Sequence, residues 1–218
     1  MKTIDYSLYL VTDRSIMSTQ TIEEAVEKAI LGGVSVVQLR EKNLSTEKFI
    51  TLAKSIHAIC QAYQVPLIIN DNLEVMQKVN AEGLHIGQDD LDVKSARAKI
   101  GQGKILGVSA QTLKQAQMAE ADGADYLGVG AMVATETKKD ARIVTKEELS
   151  AISQAVNIPV VAIGGVNLEN ISTFKNAGAD GFAIVSAILK EKDIQSITKK
   201  LKQKIGEEHG HSRIISTK

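Results

Sequence analysis

Asn176-Ala-Gly-Ala-Asp-Gly-Phe-Ala-Ile-Val185 closes one element and opens another within a few residues. Gly178 suits the left-handed residue that ends a helix, and its small neighbours let the chain turn straight into the apolar run Phe182 to Val185. The same phrase stands twice earlier, as Ala121-Asp-Gly-Ala-Asp125 before Tyr126 to Val129 and as Leu31-Gly-Gly-Val-Ser35 before Val36 to Leu39. Working outward, further short apolar runs recur at Leu8 to Val11, Leu67 to Ile69, Gly83 to Ile86, Ile105 to Val108 and Val160 to Ile163. Their hydrophobicity is continuous rather than alternating, which marks parallel strands covered on both faces. Between them, Thr21 to Leu31 and Thr46 to Tyr63 return apolar residues every three or four positions, the period of a helix with one buried face. Thr145 followed by Glu148 has capping-box spacing, and Ser45 ahead of Glu47 offers a hydroxyl cap. Strand and helix units joined by right-handed crossovers predict an α/β fold, a (β/α)8 TIM barrel forming a single domain over 1–206. An open doubly wound sheet is the alternative. Residues 207–218 turn polar and read as a C-terminal tail, with His209 and His211 assigned no function.

Composition narrows what such a barrel binds. Lys plus Arg and Asp plus Glu both number 26, so no global basic field is available to hold a nucleic-acid backbone. Aromatics make up 3% with no Trp, which leaves few platforms for stacking bases. Nucleic acid is therefore excluded as the expected partner, and anions must be caught locally. The lone Cys60 cannot form an internal disulfide, lies in a helical stretch, and reads as a buried, inert thiol in a reducing compartment. The first apolar run is too short for a signal or membrane segment, so a cytoplasmic setting with no membrane contact is expected.

Barrel enzymes carry their chemistry on the C-terminal ends of the strands. That rim is polar here: Thr12 and Asp13, Gln38 to Lys42, Asn70 and Asp71, Gln88 to Asp90, Ser109, Thr135 to Lys139, Gly164 and Gly165, and Ser186. The opposite ends, at Ser35, Pro66 and Pro159, read as plain. Strand alternation sends Gln38, Arg40 and Lys42 to one side and Leu39 to the other. A guanidinium grips phosphate oxygens in pairs and an ammonium adds a mobile charge, a combination suited to a diphosphate. A salt-bridged strand end is the plainer reading. Asp71 and Asp90 close neighbouring strands, where two carboxylates suit Mg2+ with water and substrate oxygens completing its shell. They also suit a general acid and base sharing a proton. Gly164-Gly165 and Val185-Ser186 follow the seventh and eighth strands, where barrels commonly hold a phosphate on backbone N–H groups. Ala131 to Asp140 reads as a loop folding over substrate, its Thr135, Thr137 and Lys138 offering donors, or as a solvated charged loop.

Tyr9-Leu-Val-Thr-Asp13, Gln38-Leu-Arg-Glu-Lys42, Ile69-Asn-Asp-Asn72, Gly83-Leu-His-Ile-Gly-Gln-Asp-Asp90, Gly107-Val-Ser109, Thr135-Glu-Thr-Lys-Lys-Asp140 and Ala162-Ile-Gly-Gly-Val166 follow one another in order. Together they resemble the thiamine phosphate synthase family from about Tyr9 to about Ile188. The resemblance implies a barrel that couples hydroxymethylpyrimidine diphosphate to hydroxyethylthiazole phosphate, releasing diphosphate. It implies that Gln38, Arg40, Lys42, Asn70, Ser109 and Lys138 hold the pyrimidine diphosphate. By the same likeness Asp71 and Asp90 bind Mg2+, and Thr135, Thr137, Gly165, Val185 and Ser186 hold the thiazole phosphate. Arg40, Lys42, Ser109 and Lys138 would carry the catalytic load in a dissociative reaction that needs no strong base.

One stretch departs from the family. Prolines usually precede its Thr-x-Thr, where this chain has Ala131-Met-Val-Ala134, so a looser loop is expected. Two other functions stay open: a thiazole tautomerase of the same superfamily, which relies on a histidine near the fifth strand, and a non-catalytic protein that binds phosphate ligands. Small phosphate and diphosphate esters are the expected partners, and a homodimer is the expected assembly.

Overall fold

A computed structural model describes residues 4–134 and 142–207. Eight strands are present: β1 (Leu8–Val11), β2 (Val36–Leu39), β3 (Leu67–Asn70), β4 (Gly83–Ile86), β5 (Ile105–Ala110), β6 (Tyr126–Val129), β7 (Val160–Ile163) and β8 (Gly181–Ile184). Helices alternate with them: α1 (Ile22–Leu31), α2 (Thr46–Ala62), α3 (Leu73–Val79), α4 (Val93–Ile100), α5 (Leu113–Ala121), α6 (Lys146–Ala155), α7 (Ile171–Asn176), α8 (Ser186–Leu189) and α9 (Ile194–Glu207). The strands form a closed parallel barrel in chain order, and β1 completes it by pairing with β8, Leu10 opposite Ile184. Closure excludes the open sheet.

The expected caps form. Thr145 and Glu148 make a full capping box at α6, and the Ser45 side chain accepts from the Lys48 N–H at α2. Gly33, Gly123 and Gly178 take φ of 109°, 100° and 98° where the repeated phrase leaves its helix. The last unit departs from a simple strand-helix pair, because its helix is broken in two. The polar stretch Lys190 to Asp193 interrupts it, and the Asp193 carboxylate restarts α9 by accepting from the Ser196 N–H.

The N-terminal end of the barrel is not plain. Just ahead of each even strand, one polar side chain accepts from an N–H at the start of the preceding odd strand. Ser35 Oγ takes the Leu8 N–H, Glu82 that of Leu67, Asp125 that of Leu106, and Asp180 that of Val160, at 3.3, 2.9, 2.7 and 2.8 Å. Each latch satisfies a backbone donor that a buried strand start would otherwise leave unpaired.

Two apolar layers hold the barrel. Leu10, Leu39, Ile69, Leu84 and Leu127 point outward onto the helices, each fully buried. Tyr9, Val11, Val36, Ile68, Tyr126, Val161 and Ala183 fill the interior. Burying one such aliphatic side chain stabilises by about 1.5–3 kcal/mol relative to leaving it in water. Cys60 sits in the outer layer with no exposure, and burial pushes its thiol up to about 12. A thiol reagent at pH 8 is therefore expected to leave the native protein unlabelled and to modify one site per chain after denaturation. Labelling of the folded protein would show that α2 opens. Among the described residues, no helix is long and apolar enough to cross a membrane.

Candidate active site

The C-terminal ends of the strands enclose a cavity of about 340 Å³. Gln38, Arg40 and Lys42 enter it from the end of β2, Asn70 and Asp71 from β3, Asp90 from the loop after β4, and Ser109 from β5. Gly165, Val185 and Ser186 complete the far wall. Side chains distant in sequence thus share one mouth because every strand runs the same way around the barrel. Thr135, Thr137 and Lys138 lie outside the described residues.

Asp71 is placed by an unusual backbone. Its φ of 61° is left-handed, a conformation that Asp tolerates better than most residues, and its N–H donates to the His85 carbonyl at 2.8 Å. Asn72 then caps α3 by accepting from the Val75 N–H at 2.9 Å. The kink turns Asp71 toward Asp90, whose own carboxylate accepts from the Gly87 N–H at 2.7 Å. Burial, followed by the hydrogen bond and charge of Asp90, pushes Asp71 up to about 6, against the opposing pull of Asn70 and Arg40. Two close acidic groups with oxygen donors fit a hard divalent cation. Among the described residues no three His, Cys, Asp or Glu side chains gather around one point, so a cation here would complete its shell from water and ligand.

The cations are positioned from β1 and β2. The Thr12 hydroxyl accepts from the Arg40 N–H at 2.9 Å, and Arg40 stands 3.7 Å from Asp13. That ion pair is long, so the guanidinium remains available to a ligand. Arg14 takes Glu41 at 3.1 Å, and Lys42 is left exposed on the cavity wall. The salt-bridged strand end is real for Arg14 and Glu41 and only partial for Arg40.

The stretch before residue 135 is not loose. Ala131 donates to the Arg142 carbonyl at 3.2 Å, Met132 to that of Ile163 at 3.0 Å, and Val133 to that of Gly164 at 3.0 Å. Alanine keeps an N–H that proline lacks, and at Ala131 that N–H holds the segment to Arg142 ahead of α6, while Met132 and Val133 hold it to the end of β7. Gly165 has φ of 73°, and a Cβ there would stand 2.6 Å from Val133 Cβ, so only glycine lets the two segments lie this close.

The continuous apolar run Gly83 to Ile86 does not fix which way His85 points, and Tyr9 and Tyr126 lie unmarked inside similar runs. The structure turns His85 into the cavity, its Nε2 3.0 Å from Ser109 Oγ and its Nδ1 2.9 Å from Tyr126 Oη. The stretch Ser109-Ala-Gln111 at the end of β5 carries no histidine, and the histidine that lines the cavity stands on β4. Gly107 gave the available signal, since a glycine inside a strand marks close approach.

A family model described as thiamine monophosphate synthase matches residues 8–188. Thiamine-phosphate synthase of Clostridium botulinum (strain Eklund 17B / Type B) is 54% identical over 92% of this chain and 94% of its own. The protein of that name from Methanobrevibacter smithii is 48% identical over 88% and 92%. Among solved structures, thiamine phosphate pyrophosphorylase from Pyrococcus furiosus superposes with a TM-score of 0.87 at 33% identity, covering 94% of this chain and 97% of that one. With this fold, this rim and these relatives, the chain belongs to the thiamine monophosphate synthase family.

Proposed function

We propose that this chain is a transferase that joins 4-amino-2-methyl-5-hydroxymethylpyrimidine diphosphate to hydroxyethylthiazole phosphate, giving thiamine phosphate and diphosphate. Besides family membership, one observation carries this reading: Arg40, Lys42, Gln38, Asn70 and Ser109 line the same cavity as the paired acids Asp71 and Asp90. Cations and amide donors there can take the charge of a departing diphosphate, which is where such a reaction needs stabilisation. Gln38, Arg40, Lys42, Asn70, Ser109 and Lys138 would hold the pyrimidine diphosphate. Gly165, Val185 and Ser186, with Thr135 and Thr137, would hold the thiazole phosphate at the end of β7 and β8, where barrels commonly bind phosphate on backbone N–H groups. Asp71 and Asp90 would hold Mg2+, which when bound neutralises diphosphate oxygens and eases their departure.

The chemistry asks little else of the protein. The bond from the methylene carbon to the diphosphate oxygen breaks, and the thiazole nitrogen forms a new bond to that carbon. The donors hold both partners in line and exclude water from the cationic carbon. A second reading is favoured by the Ser109 and His85 contact, which has the distance of a nucleophile and its base. The polarity of that contact, taken up below, argues against it.

Purified protein given both phosphorylated heterocycles and Mg2+ is expected to yield thiamine phosphate and diphosphate in equal amounts, followed by chromatography. Binding of both compounds without product would instead support a ligand-binding protein. Isomerisation of a thiazole precursor would support the tautomerase.

A further inference from the structure

The upper interior of this barrel is polar where branched aliphatics usually pack. Gln38 Nε2 donates to Tyr9 Oη at 2.8 Å, Tyr9 Oη lies 2.7 Å from Tyr126 Oη, and Tyr126 Oη lies 2.9 Å from His85 Nδ1. His85 Nε2 then reaches Ser109 Oγ at 3.0 Å. The chain is unbroken, it crosses the barrel, and both its ends line the cavity. Tyr9 and Tyr126 are each 1% exposed, and burial holds both phenols far above their usual pKa, so each keeps its proton.

Two glycines make room for it. His85, Gly107 and Tyr126 are partners in one row across β4, β5 and β6. A Cβ on Gly107 would fall 2.2 Å from Tyr126 Cζ and 2.5 Å from His85 Nδ1, so the two rings meet only because β5 carries no side chain there. One layer up, Gly128 partners Ser109, and a Cβ on it would stand 3.0 Å from His85 Cε1.

The order of donors follows from one end. An amide nitrogen can only donate, so Tyr9 Oη accepts from Gln38, and the proton of this buried phenol finds its acceptor in Tyr126 Oη. Tyr126 in turn donates to His85 Nδ1. That nitrogen therefore carries no hydrogen, and the imidazole proton sits on Nε2, which donates to Ser109 Oγ.

We propose that Tyr9, Tyr126 and His85 are positioning residues that fix the hydrogen-bond polarity of the cavity. They hold Ser109 as a hydroxyl that donates to the ligand and turn the Gln38 carbonyl oxygen to the cavity as an acceptor. Ser109 is then no nucleophile, because His85 Nε2 already bears a proton and cannot take another. In a catalytic triad the third group accepts from the histidine, whereas here Tyr126 donates to it. The cavity so polarised accepts an amine hydrogen at Gln38 and donates to an oxygen or ring nitrogen at Ser109, the pattern of an aminopyrimidine carrying a diphosphate. The identity of that substrate rests on the function proposed above, while the polarity does not.

The test has one arm that needs no substrate. In 15N-labelled protein near neutral pH, long-range nitrogen–proton correlations are expected to show His85 as the neutral Nε2–H tautomer, assigned by its loss in His85→Gln. A neutral Nδ1–H tautomer, or an imidazolium, would overturn the proposal. In the kinetic arm, Tyr126→Phe is expected to lower kcat about tenfold and raise KM for the pyrimidine diphosphate about fivefold, leaving KM for the thiazole phosphate unchanged. His85→Gln still offers Ser109 an amide donor and is expected to stay within about threefold of wild type, whereas His85→Leu loses about thirtyfold with no lower melting temperature. Unchanged kinetics in Tyr126→Phe and His85→Leu, or equal rises in both KM values that follow lost stability, would also overturn it. If wild-type protein forms no product, the functional reading falls, and the tautomer still decides the polarity.

Discussion

Replacing Asp71 by asparagine is expected to lower Mg2+-dependent turnover by about 10²–10³, the usual loss when one electrostatic support of a charged transition state is removed. Asparagine is the informative replacement because it tolerates the left-handed φ of 61° as aspartate does. Alanine would add backbone strain to the loss of charge. Stability is expected to move the other way. The folded protein raises Asp71 from 3.8 to about 6, so it binds that proton more tightly than the unfolded chain does. The resulting stabilisation is full below pH 3.8 and is lost as pH rises through about 6. In metal-free buffer the melting temperature of Asp71→Asn should therefore gain on wild type between pH 5 and pH 7.5. A variant that turns over normally with Mg2+ would remove Asp71 from the metal site, and a gap independent of pH would mean that neither burial nor Asp90 raises its pKa.

The second large effect lies at the opposite end of the barrel. Arg97 is 7% exposed and bonds the carbonyls of Gly123, Gly101 and Lys104 at 2.7–3.0 Å, with Asp125 at 2.5 Å. Asp125 is also the latch on the Leu106 N–H. Arg97→Ala strands these carbonyls and frees a carboxylate that two elements share, so a loss of about 3 kcal/mol is expected. For a chain of this size that corresponds to about 6–12 °C in Tm. Lysine offers one compact charge in place of a planar fork and should recover less than half of it. Because the site is remote, turnover of folded Arg97→Ala at low temperature should match wild type. A melting temperature within a degree of wild type would show that the network contributes little.

Much of the fold was readable because parallel strands covered on both faces are written as unbroken apolar runs. Val36 to Leu39 and Tyr126 to Val129 were placed to the residue, while β3 and β5 ran on into Asn70 and Ala110, whose polar or small side chains gave no strand signal. The rim was readable for the converse reason, since Arg40, Lys42, Asp71 and Asp90 interrupt apolar sequence at the strand ends. The interior chain was not. In a run buried on both faces, alternation carries no information, so Tyr9 inside Leu8 to Val11 looked like any other core residue. His85 was ambiguous on the same ground, and only the register that sets it opposite Gly107 reveals its partner on β6. The latches escaped notice because each joins residues 15–27 apart through one side chain, a pairing that no local pattern announces.

Those latches also give the barrel an internal grammar. Ser35 ties β2 to β1, Glu82 ties β4 to β3, Asp125 ties β6 to β5 and Asp180 ties β8 to β7, and each bond closes within two successive strands. Eightfold in its staves, the molecule is fourfold in its fastenings. Its modules are quarters, and an exchange cut between quarters carries every fastening along with the strand it secures, whereas a cut inside one separates them.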